Sequence, residues 1–196
     1  MELRWPTGTE LPGYVAALET GWSPNTIDDA AGRVELAAIA ARPGAFLASL
    51  VDRDASGTTI ELPDGSVAQR IPGYRKWMWD GEFCGLIGFR WVPGTEELPP
   101  HVLGHIGYGV VPWKRGRGFA TTAVGMILDD AAAEGLRWVE ITTDPDNVAS
   151  QRVIERNGGV LVERFAYPEA YGRADGLRYR VSVTPGGLTP GVARRV

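Results

Sequence analysis

Between Val110 and Thr121 the chain reads Val-Val-Pro-Trp-Lys-Arg-Gly-Arg-Gly-Phe-Ala-Thr, so an apolar, strand-like segment passes into a helical one through glycines and cations. Few arrangements satisfy such a stretch. The first turn of a helix leaves backbone N–H groups without intrahelical acceptors, and the helix dipole adds partial positive charge at the same place. A phosphate-like anion meets both needs. Gly116 and Gly118 let the main chain approach a bulky pyrophosphate, and Lys114, Arg115 and Arg117 add charge around it.

Two familiar phosphate loops are excluded by their letters. The Walker pattern requires Gly-Lys-Ser/Thr, which is lacking, and a dinucleotide fingerprint requires a third glycine where Thr121 stands. What remains is Arg115-x-x-Gly118-x-Ala120 after Val-x-Pro, preceded by Gly104-His-Ile-Gly-Tyr108 in a strand-like run. Further on, Asn147 to Gly159 reads Asn-x-x-Ser-x-x-x-x-Glu-x-Asn-Gly-Gly. These blocks, in this order and spacing, resemble the acetyl-coenzyme A signature of the GCN5-related N-acetyltransferases over about residues 75 to 183.

The resemblance implies an α/β fold with a mixed, mostly antiparallel central sheet, splayed between its fourth and fifth strands and flanked by helices. Those strands would be about 104–111 and 138–143, and the gap between them would admit the pantetheine arm of acetyl-coenzyme A. It further implies that the N–H groups of Gly116, Arg117, Gly118, Phe119, Ala120 and Thr121, with Arg115, hold the pyrophosphate. The main chain of Gly109, Val110 and Val111 would hold the pantetheine and polarise the thioester carbonyl. Asn147 and Ser150 would reach it from the other side, although Asn147 also suits a helix cap.

The implied reaction is direct attack of an uncharged amine on the thioester, which calls for a base, an oxyanion donor and in some relatives an acid for the leaving thiolate. His105 stands where relatives often carry glutamate and is the first candidate base, with Glu140 the second; a packing histidine is the alternative. Many relatives use a tyrosine seven positions after the matched asparagine as the acid. Here that position is Ile154, which leaves Tyr167 or Tyr171 as candidates. The missing tyrosine also motivates a second reading, a catalytically silent acetyl-coenzyme A sensor. A nucleotide phosphate-binding protein would need a lysine and metal ligands that the pattern does not supply.

At 196 residues the chain suits one domain over 1–183, with 1–73 shaping the acceptor side, 74–183 binding the coenzyme, and 184–196 a mobile tail. A net charge of −4 argues against a general nucleic-acid surface. The first residues lack a secretory pattern and no run is long enough to span a membrane, so a cytoplasmic monomer or homodimer is expected. One cysteine, Cys84, permits neither an internal disulfide nor a cysteine zinc cluster, and no metal is expected; a buried thiol is favoured over a nucleophile. Trp77, Trp79, Phe83, Phe89 and Trp91 fit strand packing better than base stacking. Asp28, Asp29, Glu35, Asp80 and Glu82 could hold a cationic acceptor or lie solvated.

Periodicity predicts helices over 11–21, 27–41, 45–51 and 120–134. Strand pairs are predicted at 58–62 with 66–70 about Pro63-Asp64-Gly65, at 74–79 with 82–92 about Asp80-Gly81, and at 160–166 with 177–183.

Overall fold

The computed structural model describes residues 1–25, 30–55, 59–62, 65–167 and 175–183. Tyr171, Asp28, Asp29, the Pro63-Asp64 half of the first predicted turn and the tail from 184 lie outside the described residues. The strands are β1 (Glu2–Arg4), β2 (Val51–Asp52), β3 (Thr59–Glu61), β4 (Val67–Gln69), β5 (Gly73–Trp79), β6 (Phe83–Arg90), β7 (Ile106–Val110), β8 (Trp138–Thr143), β9 (Val160–Ala166) and β10 (Asp175–Ser182). The helices are α1 (Leu11–Glu19), α2 (Ala31–Ala41), α3 (Pro43–Ser49), α4 (Phe119–Ala133) and α5 (Val148–Arg156). β1, β2 and α5 have no counterpart among the predicted ranges, although the possible cap at Asn147 pointed to a helix where α5 lies. Strands of two or three residues are too short to show a period.

The strands form two half-sheets and a small hairpin. The first half-sheet runs β1-β5-β6-β7 with β2 also on β5, the second runs β8-β10-β9, and β3 pairs β4. Every pairing within them is antiparallel. The two halves meet where β7 and β8 lie side by side as separate sheets, which is the splay expected of the fold.

One core spans both halves. The α4 stripe Ala123, Val124, Ile127 and Ala131 recurs at helical spacing and is fully buried, and Ile154 of α5 joins it. These side chains pack on Ile87 and Phe89 of β6, Ile106 of β7, Val139 and Ile141 of β8, and Tyr179 and Val181 of β10. A second core lies on the opposite face of the first half-sheet alone. There Leu11, Tyr14 and Leu18 of α1, Ile39 of α2 and Phe46 of α3 cover Trp77, Phe83, Leu86 and Val111. The aromatic strand residues are therefore core, with Tyr14 stacked on Trp77 at 4.9 Å and Phe89 on Trp91 at 5.1 Å.

Candidate active site

The loop ahead of α4 has the geometry its sequence demands. Gly116 and Gly118 adopt φ of 76° and 78°, a region that costs any residue with a side chain, and Gly118 forms the N-cap of α4. No side chain caps that helix. Thr122 N–H is bonded to Gly118 O at 3.0 Å, so the N–H groups of Phe119, Ala120 and Thr121 are those of the open first turn.

The cations divide in a way the sequence does not reveal. Lys114 turns inward, 6 % exposed, and its Nζ donates to Asp80 at 3.0 and 3.2 Å and to Glu82 at 2.6 Å. The hydrogen bond from Lys114 holds the Asp80 carboxyl below the usual carboxylate range. Lys114 is thus a tether between the loop and the β5–β6 turn, not a free charge beside an anion. Arg115 folds back to donate from Nε to Val110 O at 3.2 Å. Arg117 reaches Asp80 at 3.2 Å while remaining half exposed.

Below the loop, β7 presents an open edge. The register pairs Gly85 with Val110 and Leu86 with Gly109, while Arg90 N–H donates to His105 O and Val111 N–H to Cys84 O. Along an antiparallel strand, backbone groups alternate between those facing the partner and those facing away. Tyr108 and Val110 therefore turn their backbone groups toward the gap beside β8. With Val110 O taken by Arg115, the Val110 N–H is the donor on that edge nearest the loop, whereas the Val111 N–H is spent inside the sheet.

The closed end of the gap is a clasp. His105 N–H donates to Glu140 O at 2.7 Å, and Glu140 N–H donates to His105 Nδ1 at 2.9 Å. A Cβ on Gly104 would stand 3.0 Å from Glu140 O, a tight contact that glycine avoids. Because Nδ1 accepts, the neutral ring carries its proton on Nε2, which is buried without a partner. His105 is fully buried, and burial lowers its pKa to about 4 against opposing contributions from Glu140 and Glu96 and with help from Arg90. Its one accepting nitrogen is committed to the backbone.

This predicts an acid-sensitive clasp. The unfolded chain takes up the histidine proton near 6.5, whereas the folded one resists until about 4. Stability is then complete above pH 6.5 and falls as the pH drops toward about 4, by about 3 kcal/mol at pH 4. Urea melts should show that loss in the wild type but not in a His105→Gln protein, which cannot titrate there. Equal slopes for the two would remove the assignment.

Glu140 also anchors the exposed face of the second half-sheet. Its carboxylate oxygens meet Arg178 at 2.8 Å and Arg180 at 3.0 Å. Arg178 also pairs with Glu163 at 2.8 Å, and Arg180 lies 3.7 Å over the Trp138 ring. An open cleft of about 440 Å³ is lined by these arginines and by Glu97, Pro99, Val102 and Glu140.

On the other side of the gap, Asn147 caps α5, accepting Ser150 N–H at 3.0 Å. The cap uses its oxygen and leaves the amide nitrogen. Asn157 at the far end of α5 donates to Thr121 O at 3.1 Å, fastening α5 to the first turn of α4. Ile154 is buried in the core, so that position supplies no acid. Tyr167 is largely buried, donates to Asp144 at 3.2 Å, and has its pKa raised by burial. A hydroxyl that sequence reasoning passed over is that of Tyr108, which crosses from β7 to lie 2.8 Å from Ser150 Oγ. Burial pushes its pKa up to about 12. Its place in Gly-His-Ile-Gly-Tyr was the available signal, but its reach to α5 depends on the fold. Cys84 is buried, and burial pushes its thiol up to about 11, so it is a core thiol and not a nucleophile.

Among the described residues no helix is long and apolar enough to cross a membrane, and no group of three or more metal-binding side chains converges.

A glycine loop that opens a helix at the head of a gap between two half-sheets is the architecture the sequence resemblance implies, and the comparisons agree. Residues 66–160 match the model of the acetyltransferase (GNAT) domain, and that segment of the chain carries the family's signature. No curated protein matches its sequence. Among solved structures, RimJ of Mycobacterium smegmatis in complex with CoA-disulfide is similar at a TM-score of 0.61, with 23 % identity, 92 % of this chain and 80 % of that one covered. The microcin C7 self-immunity acetyltransferase MccE, in complex with acetyl-CoA and AMP, is similar at 0.58, with 12 % identity and 92 % and 91 % covered. At these identities the likeness is one of fold.

Proposed function

We propose that the protein transfers the acetyl group of acetyl-coenzyme A to a primary amine, of a small molecule or of a protein, by direct attack. The observation that carries this reading is the unsatisfied first turn of α4, capped by Gly118, directly above the open edge of β7. The pyrophosphate would bind the N–H groups from Gly116 to Thr121 with the help of Arg115 and Arg117, and the pantetheine would run along β7, met by the Asn147 amide. Val110 N–H would stabilise the negative charge that develops on the thioester oxygen. Residues 1–73 would shape the acceptor side.

For the base, Glu140 is proposed ahead of His105 because of what each has left to accept a proton with. A carboxylate keeps lone pairs beyond those its two arginines use, while the histidine's accepting nitrogen is occupied. For the acid, Tyr108 remains a neutral phenol up to about 12 and so keeps a proton to give the departing thiolate across the working pH range. A Tyr108→Phe enzyme should lose about a hundredfold in kcat at nearly unchanged KM for acetyl-coenzyme A, a size ordinary for a single proton-transfer group. An unaltered kcat would discard this acid.

The test of the whole is thiol release from acetyl-coenzyme A over a panel of polyamines, amino sugars and peptide amines. Amine-dependent turnover supports the proposal. Tight coenzyme binding with no turnover on any amine would favour the silent sensor.

A further inference from the structure

Trp22 lies beyond the end of α1, and its indole is wedged edge-on against Phe83 at 5.6 Å and Tyr14 at 6.2 Å, 8 % exposed. It packs against β7 near the loop: a Cβ placed on Gly109 would stand 3.4 Å from Trp22 Cζ2, and apart from its own chain neighbours nothing else comes within 4 Å of it. The indole edge therefore roofs the bare face of Gly109, the residue just before the Val110 N–H. The backbone beside it packs closely on α2, since Trp22 O sits 3.0 Å from where a Cβ on Gly32 would be. Two aromatic neighbours and a closely packed backbone leave the ring little room to withdraw.

We infer that Trp22 sets the length of the acyl chain the protein accepts, closing the space beside Gly109 to anything longer than acetyl. This rests on the coenzyme reading above. A thioester whose oxygen accepts from Val110 N–H places its acyl carbons next to Gly109, because that N–H belongs to the peptide joining the two residues. A methyl group needs little more than the volume a Gly109 side chain would have taken. Each further methylene has to displace the indole edge or turn away from the donor. An added methylene in a closed apolar pocket is typically worth about tenfold or more.

The experiment is calorimetric titration of the full chain with free coenzyme A and with acetyl-, propionyl- and butyryl-coenzyme A, on the wild type, Trp22→Phe and Trp22→Ala. No acceptor is needed. The expected result is that the wild type binds the butyryl thioester about a hundredfold more weakly than the acetyl one, and that Trp22→Ala removes most of this preference while its affinity for free coenzyme A stays the same. Trp22→Phe, which keeps an aromatic wedge and serves if the alanine protein does not fold, should remove part of it. A merely structural tryptophan would alter all four ligands together. Variants that keep the wild-type order, or a wild type without one, would overturn the inference while leaving coenzyme binding intact. A folded wild type that binds none of the four would overturn the coenzyme reading itself.

Discussion

A Gly118→Asp protein is expected to fold and to lose acetyl-coenzyme A binding by at least about a hundredfold. Nothing lies within 4 Å of a Cβ at this position, so the new side chain meets open space and no clash. Its φ of 78° costs a side-chain-bearing residue about 1–2 kcal/mol, which is tolerable for the fold. The carboxylate, however, sits on the first turn of α4. There it occupies the N–H groups meant for the ligand and opposes the pyrophosphate, and like charges about 4 Å apart cost about 4 kcal/mol at a surface-like effective dielectric. Gly118→Ala carries the same backbone strain without the charge and should lose far less. Calorimetry at two salt concentrations separates the two effects, because screening relieves only the electrostatic one. Unchanged affinity in the aspartate protein would mean that the anion binds elsewhere.

The second large effect is expected at a position with no polar chemistry at all. Gly85→Ala would place a Cβ 2.2 Å from Gly109 O and 2.9 Å from the Val110 Cα, both backbone atoms of β7, at a φ of 152°. No side-chain rotation relieves that approach. The strand has to move, and the cost should be about 3 kcal/mol or more, a fall in Tm of about 10 °C for a chain of this size. Since the displaced segment is the one facing the gap, coenzyme affinity should fall with it. Gly44→Ala is the control, on the α3 surface with nothing within 4 Å, and should be neutral or slightly stabilising. A Gly85→Ala protein melting within about 2 °C of the wild type would contradict the β6–β7 register.

The residues differ sharply in how much of their role could be read in advance. The α4 stripe, the two loop glycines and the Asn147 cap are local signals: each depends on backbone geometry within one or two turns, and each is found where its spacing placed it. The aromatic strands were legible as core because alternation in a strand pair already separates two faces. Lys114 was not legible. Nothing in the loop's letters reveals that Asp80 and Glu82, more than thirty positions earlier, withdraw it from the ligand. Nor does the spacing of His105 and Glu140, 35 residues apart, reveal that one clasps the backbone of the other.

By itself, then, the sequence determined the family resemblance, the order of most elements, the splayed α/β architecture and the glycine loop ahead of α4 that is proposed to receive an anion. These follow from short motifs and periods that act on their own neighbours through backbone sterics and helix-end hydrogen bonds. Only the tertiary structure decided which polar groups remain available to a substrate. It committed the His105 ring to β8, Lys114 to the β5–β6 turn and Val111 N–H to the sheet, and it brought Tyr108 to α5 and Trp22 to Gly109. The reason is that a lone pair or a charge is spent on whatever partner the strand register sets opposite it, and register is a property of the whole packed chain.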